Sequence, residues 1–565
     1  MLIMKSYSDL KEDLEQKGSV ILGLSFSNHD GSACLVKNGK ILCAIELERL
    51  IKIKKLCFYD NNDRSLGYFG KQYNSKVKLC IDYLLESTNL TWDDVKVIVI
   101  AKDPDSFPLD YGGPKLVDLS DRWFDEKRSF IMPDCFSNRT TNRIVGMVSE
   151  SYDDLDKLFG CFSLKPILMT HHHLAHHAAA FYTSPFESSI GFSLDCSSGS
   201  PDLSYINSLI TVGNENVLEM VMTPYLLTGI DYQRMVEVLG IGPALHKAGT
   251  LMGLSSHGTP DPNLDLEPFM SYKFKNYDKD FVKDNFKKAS DIASTAQKHL
   301  ETVILECINQ LPTNSDNLCL SGGTFYNCPT NSRILEETRF KNIHHFPSCG
   351  DSGTAIGAAL YVCHHVLGMD RKSFKPHEIC YLGKDYKLEK EIDYKYIAKR
   401  ISEGAIVAWM NGRSEFGPRA LGNRSLLADP RDQHNRDRLN HVIKKREWYR
   451  PFAPIVLEER YKDWFDFDVP SPFMLFTAQV KQPKEVPAIV HVDGSSRFQT
   501  ITEESNTHMY KLIKEFENIT GIPMLINTSL NGTGQPILET PEDGREFFNS
   551  VPVDMAVIHG EILEK

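Results

Sequence analysis

Apolar residues run along this chain in short blocks separated by polar turns. The first block, SVILGLSFS at 19–27, reads as a buried strand that ends in the polar stretch NHDGSA. ACLVKNGKILCAIE at 33–46 then gives two strands joined by Asn38-Gly39, a dipeptide that accepts both left-handed positions of a type I′ hairpin turn. Further strands are expected at VKVIVIA (95–101), SIGFSLDC (189–196), NLCLSGG (317–323) and AIVAWM (405–410). Between them apolar positions recur with helical period, as in TAIGAALYVCHHVL at 354–367. Strands alternating with helices predict α/β layers. No short repeat or low-complexity tract interrupts them. A polar stretch after that helix, GMDRKSFKPHEICYLGKD at 368–385, is where a domain boundary is expected.

Length and composition narrow the class. At 565 residues the chain exceeds what one core supports, so two or three domains are expected. A hydrophobic content of 41% and a charged content of 24% suit a soluble globular enzyme. The net charge of -12 argues against a large nucleic-acid footprint. The opening MLIMKSYSDLKEDLEQKG turns acidic too early for a signal peptide, and no apolar run approaches the roughly 20 residues of a membrane helix. The 13 cysteines include no C-x-x-C pair, which points to reduced thiols in a cytoplasmic protein.

Five histidines fall within HHHLAHH at 171–177. On a helix over 171–183, His172 and His176 lie four apart on one face, the usual way a helix offers two imidazoles to one metal. Ala175, Ala178, Ala179 and Ala180 let such a helix pack closely. Taken alone, H-x-x-x-H is as often a histidine-rich surface helix. A carboxylate to complete the site stands in FPSCGDSGTAIGAAL at 346–360, where Asp351 lies between two glycines directly before a helix. An Asp there is also an ordinary N-cap. Two histidines and one carboxylate with open positions suit divalent iron, or zinc.

Glycine turns in LCLSGGTFYNCPTN (318–331), HKAGTLMGLSSHG (246–258) and SFSNHDGSA (25–33) let backbone N–H groups approach a ligand, and together they predict a phosphate-handling cleft. The densest polar chemistry follows, in NGRSEFGPRALGNRSLLADPRDQHNRDRLNHVIKKREWYRPFAP at 411–454. Eight arginines fall between 401 and 450, interleaved with glycine, proline and the carboxylates Glu415, Asp429, Asp432, Asp437 and Glu447. That mixture predicts a shaped anion pocket, because guanidinium groups grip phosphate or carboxylate bidentately. Arg497, Asn527, Ser529 and Asn531 add polar groups suited to a nucleotide.

GRSEFGPRALGNRS, KKREWYRPFAP, HHLAHHAAAFYTSPF, SGGTFYNCPTN, DSGTAIGAA and NTSLN together resemble the O-carbamoyltransferases of antibiotic biosynthesis and nodulation, over about 19–565. The resemblance implies an α/β, two-domain chain. After an extension at 1–18, an actin-like ATPase (ASKHA) fold with duplicated α/β subdomains would span 19–370, and a threonylcarbamoyl-adenylate-synthase-like (YrdC-like) α/β domain 371–565. It further implies that the C-terminal domain makes carbamoyl adenylate from carbamoyl phosphate and ATP with Mg²⁺. The carbamoyl group would then pass to a hydroxyl at the N-terminal metal site. By position, Arg419, Lys444, Arg450 and Arg497 would clamp phosphates, with Ser529 and Asn531 assisting. His172, His176 and Asp351 would bind Fe²⁺ (or Zn²⁺); Gly322, Gly323 and Asn327 would line the adenylate; His29 would serve as base near the acceptor.

Where the family carries a glycine-acidic turn this chain has DCSSGS (195–200), in which Asp195 remains; His171 and His177 exceed the family pattern. Neither the acylphosphatase region nor the paired zinc fingers of the hydrogenase-maturation carbamoyltransferase is present. The acceptor stays open: a sugar, a natural product, a hydroxymethyl-nucleotide, or a hydroxymethylated base in DNA. A catalytically silent nucleotide-binding regulator is the non-enzymatic alternative. The acceptor pocket is expected from 52–150, with Tyr111, Asp121, Trp123, Phe124 and Asp125 in a candidate lid, and the resemblance suggests a homodimer.

Overall fold

The computed structural model describes residues 18–27, 29–58, 72–102, 115–118, 145–148, 165, 167–198, 206–224, 226, 228–270 and 274–565. The expectations for residues 1–17 and for Tyr111, Asp121, Trp123, Phe124 and Asp125 lie outside these. Two compact units divide the chain. The first comprises Met1–Leu226, Pro312–Thr324 and Lys341–Lys384; the second comprises Leu227–Leu311, Phe325–Phe340 and Asp385–Lys565.

In the first unit, β1 (Val20–Ser25), β2 (Ser32–Lys37), β3 (Lys40–Glu46), β4 (Val95–Ala101), β5 (Lys115–Asp118), β6 (Val145–Val148) and β7 (Ile167–Thr170) form one sheet in the order β3-β2-β1-β4-β7-β6-β5. β1 and β2 pair antiparallel, as do β2 and β3, whereas β1–β4 and β4–β7 are parallel. A second sheet has β8 (Ser188–Ser198), β9 (Ile206–Asn214), β10 (Val217–Met222), β11 (Asn317–Ser321) and β12 (Asn342–His345) in the order β10-β9-β8-β11-β12. It repeats the pattern, with two antiparallel strands on one side of β8 and two parallel strands on the other. This is the duplicated α/β arrangement expected of an actin-like fold. β1 is buried along its whole length, which explains why its sequence is apolar without alternation. At the β2–β3 turn Asn38 and Gly39 have φ of 52° and 74°, the two left-handed positions a type I′ turn requires.

Two helices fill the space between these sheets. Thr354–Tyr361 packs on β1, β2 and β4, His172–Thr183 packs on β8, β9 and β11, and the helices pack on each other. A Cβ at Gly357 would sit 1.8 Å from the Ala175 carbonyl oxygen, so backbone meets backbone there. The alanines that predict a closely packing helix have this physical outcome. Arg371 secures the end of the histidine-bearing helix. Its guanidinium donates to the carbonyls of Phe181, Phe186 and Ser184 and lies 4.1 Å from the Phe181 ring centre.

The second unit has helices Thr228–Val238, Ala244–Ser255, Phe286–Asn309 and Cys328–Glu337 packed as a group. Its main sheet contains β13 (Val407–Met410), β14 (Arg424–Ala428), β15 (Ala453–Leu457), β19 (Gln499–Ile501), β20 (Met524–Ser529), β21 (Met555–Ile558) and β22 (Glu561–Glu564), in the order β19-β15-β20-β14-β13-β21-β22. A smaller sheet joins β16 (Phe465–Asp466), β17 (Thr477–Val480) and β18 (Ser495–Arg497). The core includes Trp409, Leu426, Ile455, Phe498 and Phe516, all almost fully buried. No helix among the described residues is long and apolar enough to cross a membrane. Cys34, Cys43, Cys57, Cys80, Cys307, Cys319, Cys328, Cys349, Cys363 and Cys380 carry free thiols.

Candidate active site

The first unit gathers four side chains that could hold a metal ion. His172 and His176 stand one turn apart at the start of their helix, and their Nε2 atoms are 3.2 Å apart. Asp351 enters from the turn after β12, with Oδ1 3.4 Å from His172 Nε2 and 3.5 Å from His176 Nε2. Asp195 enters from β8, with Oδ2 3.2 Å from His176 Nε2. One ligand atom from each of these four buried residues lies within 4.8 Å of every other. Two imidazole nitrogens and two carboxylate oxygens so converging fit a divalent cation. Asp351 Oδ1 is itself buried without a hydrogen bond, which leaves its lone pairs available to a cation. Asp351 does not cap its helix; its carboxylate faces the histidines, while its backbone carbonyl accepts from Ser25 Oγ at 2.9 Å and Thr354 Oγ1 at 2.6 Å.

Asp195 is absent from the ligand set drawn from sequence. Its signal was an aspartate ending a buried strand, and nothing in the spacing tied it to residue 172 or 351. The Gly322-Gly323 turn lies beside it: the Gly323 N–H donates to Asp195 Oδ2 at 2.9 Å. Gly322 has φ 96°, and a Cβ there would meet the Leu194 carbonyl at 2.2 Å, so only glycine fits. His177 donates instead to the Leu209 carbonyl at 2.8 Å, a structural bond.

His29 borders the same cluster. Its Nδ1 is 2.9 Å from Asp30 Oδ2 and 3.6 Å from Asp351 Oδ2, and Lys55 Nζ donates to Asp30 Oδ2 at 2.5 Å. Neither Asp30 nor Lys55 was singled out from sequence. Burial alone would push the His29 imidazole down, but the charge of Asp351 and the bond to Asp30 outweigh it and raise it to about 9. Burial opposes charge on His176 too, yet bonds to Asp195 and Asp351 raise it to about 9. Asp351, which burial would push up, is held well below the usual carboxylate range by the charges of His29 and His172.

The second unit holds a different cluster. Lys444 Nζ reaches Ser529 Oγ at 3.3 Å, Asn531 O at 3.1 Å and Asn531 Oδ1 at 2.5 Å, so three of the residues expected to act together meet. Arg419, Arg450 and Arg497 lie close enough to act on one another's charge, and so does Arg446, not selected from sequence. Burial pushes the Arg497 guanidinium down to about 10, and the charges of Arg419 and Arg450 add to it. Burial and then the charges of Arg450 and Arg497 press Arg446 well below its ordinary value. Among the described residues no carboxylate lies within ion-pair distance of Arg419, Arg446 or Arg497, and Arg450 has only Glu447, 3.8 Å away and also held by Lys247 at 2.7 Å. These guanidinium groups are half-buried, and grouping like charges there without a counter-ion is unfavourable. The Nε atoms of Arg419 and Arg497 are buried without a partner. Such a surplus suits a ligand with several negative charges.

Asn327 belongs to this second unit, and its side chain has structural work. Oδ1 caps the Cys328–Glu337 helix by accepting from the Thr330 N–H, and the amide pairs reciprocally with Gln297 at 2.9 and 3.0 Å.

Comparison with known proteins covers nearly the whole chain. Residues 20–280 and 269–360 match the family described as "Carbamoyltransferase N-terminus", and residues 398–565 match "Carbamoyltransferase C-terminus". An uncharacterized protein of Synechocystis sp. is 30% identical over 96% of both chains. The nodulation protein NolNO of Sinorhizobium fredii is 29% identical over 95% of this chain and 79% of its own. The 3'-hydroxymethylcephem-O-carbamoyltransferase of Streptomyces clavuligerus is 32% identical over 53% of this chain and 61% of its own.

Proposed function

Because the chain belongs to the carbamoyltransferase family and is a transferase, we propose that it is an ATP-dependent O-carbamoyltransferase whose two polar centres divide the reaction. At the arginine cluster, carbamoyl phosphate, water and Mg²⁺-ATP become carbamoyl adenylate, phosphate and pyrophosphate. At the His/Asp cluster, the carbamoyl group passes to an acceptor hydroxyl and AMP leaves. The supporting observation is the contrast between the centres: one carries surplus positive charge, the other a converging set of two imidazoles and two carboxylates.

In this reading Arg419, Arg446, Arg450 and Arg497 hold phosphoryl oxygens, and Lys444, kept in place by Ser529 and Asn531, supplies a further cation where charge develops. His172, His176, Asp195 and Asp351 would hold the metal, Fe²⁺ or Zn²⁺, which supplies a Lewis acid to the transfer centre. The Gly322-Gly323 turn presents backbone beside these ligands for the adenylate, and Asn327 supports the helix that follows. His29 accepts the proton of the acceptor hydroxyl. Asp351 is the chief upward influence on His29, and a cation at the ligand set would offset that charge. The acceptor is a small molecule with a free hydroxyl, the class named for the Streptomyces clavuligerus relative.

The reading is tested with purified protein, ATP, Mg²⁺ and carbamoyl phosphate, with carbamoyl phosphate omitted as control. The expected result is pyrophosphate release that depends on carbamoyl phosphate, with carbamoyl adenylate or AMP seen by mass spectrometry. A metal-loaded, folded protein that hydrolyses or binds ATP with no such dependence would instead be a nucleotide-binding regulator.

A further inference from the structure

A base at His29 works only if a defined ring nitrogen meets the hydroxyl. We propose that Asp30 and Lys55 form a positioning pair that holds the His29 imidazole through Nδ1 and leaves Nε2 for the acceptor; this inference rests on the transfer reading above. One carboxylate oxygen, Asp30 Oδ2, lies 2.9 Å from His29 Nδ1 and accepts from Lys55 Nζ at 2.5 Å. An aspartate paired with an ammonium is ionised and only accepts, so the proton of that contact sits on Nδ1. In its neutral form, which a cation at the ligand set favours by offsetting Asp351, an imidazole donating through Nδ1 carries its free lone pair on Nε2, the geometry of a base oriented by a third group.

The scaffold around the pair is built for position. Asp30 and Lys55, 25 residues apart, both adopt left-handed backbone, with φ of 57° and 58°. For a lysine that conformation is held only by its surroundings. The Gly31 N–H donates to the Leu56 carbonyl at 2.8 Å, the Leu47 N–H to the Gly31 carbonyl at 2.8 Å, and the Lys55 N–H to Glu48 Oε2 at 2.7 Å. A side chain at residue 31 would press on the Phe58 nitrogen at 3.2 Å. The turn carrying His29 and the strip carrying Lys55 are therefore tied together by backbone as well as by the ion pair. In the transfer step the hydroxyl proton moves to His29 Nε2 and the oxygen lone pair forms the new bond to the carbamoyl carbon. The bond from that carbon to the phosphoryl oxygen breaks, its electron pair leaving with AMP.

The test uses the full chain, freshly prepared carbamoyl adenylate as probe and water as nucleophile, so no cognate acceptor is needed. Single-turnover AMP release is followed for wild type, His29→Gln, Lys55→Met, Lys55→Arg and the double variant His29→Gln/Lys55→Met, with metal content and pyrophosphate release checked in each. His29→Gln is expected to slow AMP release about 100-fold. Lys55→Met should slow it about 10-fold with unchanged half-saturation, Lys55→Arg should restore most of the rate, and the double variant should be no slower than His29→Gln. Multiplying effects in the double variant, or a Lys55→Met effect confined to half-saturation, would overturn the positioning role. A normal rate in His29→Gln would remove the base instead, and no acceleration over spontaneous decay by wild type would remove the transfer reading with it. Where Lys55→Met fails to fold, Asp30→Asn, matched in shape, takes its place in the same cycle.

Discussion

The two polar centres are opposites in charge and in construction. The His/Asp cluster is internally compensated: each imidazole has a carboxylate within 3.5 Å, and its members come from four separate stretches, at 29–30, 172–176, 195 and 351. The arginine cluster is uncompensated, and three of its four guanidinium groups come from the 32 residues between 419 and 450. A compensated set that still converges its ligand atoms is suited to a cation; an uncompensated one needs an anion to be comfortable. In the proposed reading, that difference lets one chain separate activation of a phosphorylated donor from handling of the product, using opposite electrostatics for each.

The largest effect that would break this contrast lies at the arginines. Arg497→Ala or Arg419→Ala should reduce carbamoyl-phosphate-dependent pyrophosphate release by about 100- to 1,000-fold, as loss of one transition-state donor does elsewhere; a wild-type rate in steady-state assays would remove the anion site. Next, Asp195→Asn should weaken metal retention by about 10- to 100-fold while leaving that release intact, measured by elemental analysis after dialysis against a chelator. Retained metal would return Asp195 to a role in holding the Gly323 turn. Gly357→Ala forces a methyl against the Ala175 carbonyl and should destabilise the first unit by about 3 kcal/mol in urea unfolding, lowering metal retention without touching pyrophosphate release. An equal loss at both centres would show that they are not separately supported. The smallest effect is at Asn506, which caps the Thr507–Thr520 helix of the second unit; Asn506→Ala should cost about 1 kcal/mol and shift only the unfolding of that unit.

Legibility in the sequence followed the same divide. The strands at 20–25, 40–46, 95–101, 317–321 and 407–410 lie within apolar blocks that predict them, and that at 32–37 begins one residue before its block, because burial leaves a recognisable apolar run. Lys444, Ser529 and Asn531 were grouped through the family resemblance of the motifs that hold them, and their side chains meet in the structure. His172 and His176 were readable because helical period alone puts them together. Asp195 was not, since strand order alone brings β8 to the histidine-bearing helix, and Asp30 and Lys55 were not, since the tie between them is set by left-handed turns that leave no mark in the apolar pattern. Asn327 shows the converse: a polar residue in a glycine-rich turn looks like a ligand contact, while its side chain serves a helix cap and an amide pair.

The division of labour is tested most directly by ATP–pyrophosphate exchange in the presence of carbamoyl phosphate, run on the double variant His172→Ala/His176→Ala and on Arg497→Ala in parallel. The account predicts exchange near the wild-type rate in the histidine variant, with no bound metal and no carbamoyl transfer, and loss of exchange in the arginine variant. Exchange abolished by the histidine substitutions in a folded protein, or preserved without Arg497, would contradict it.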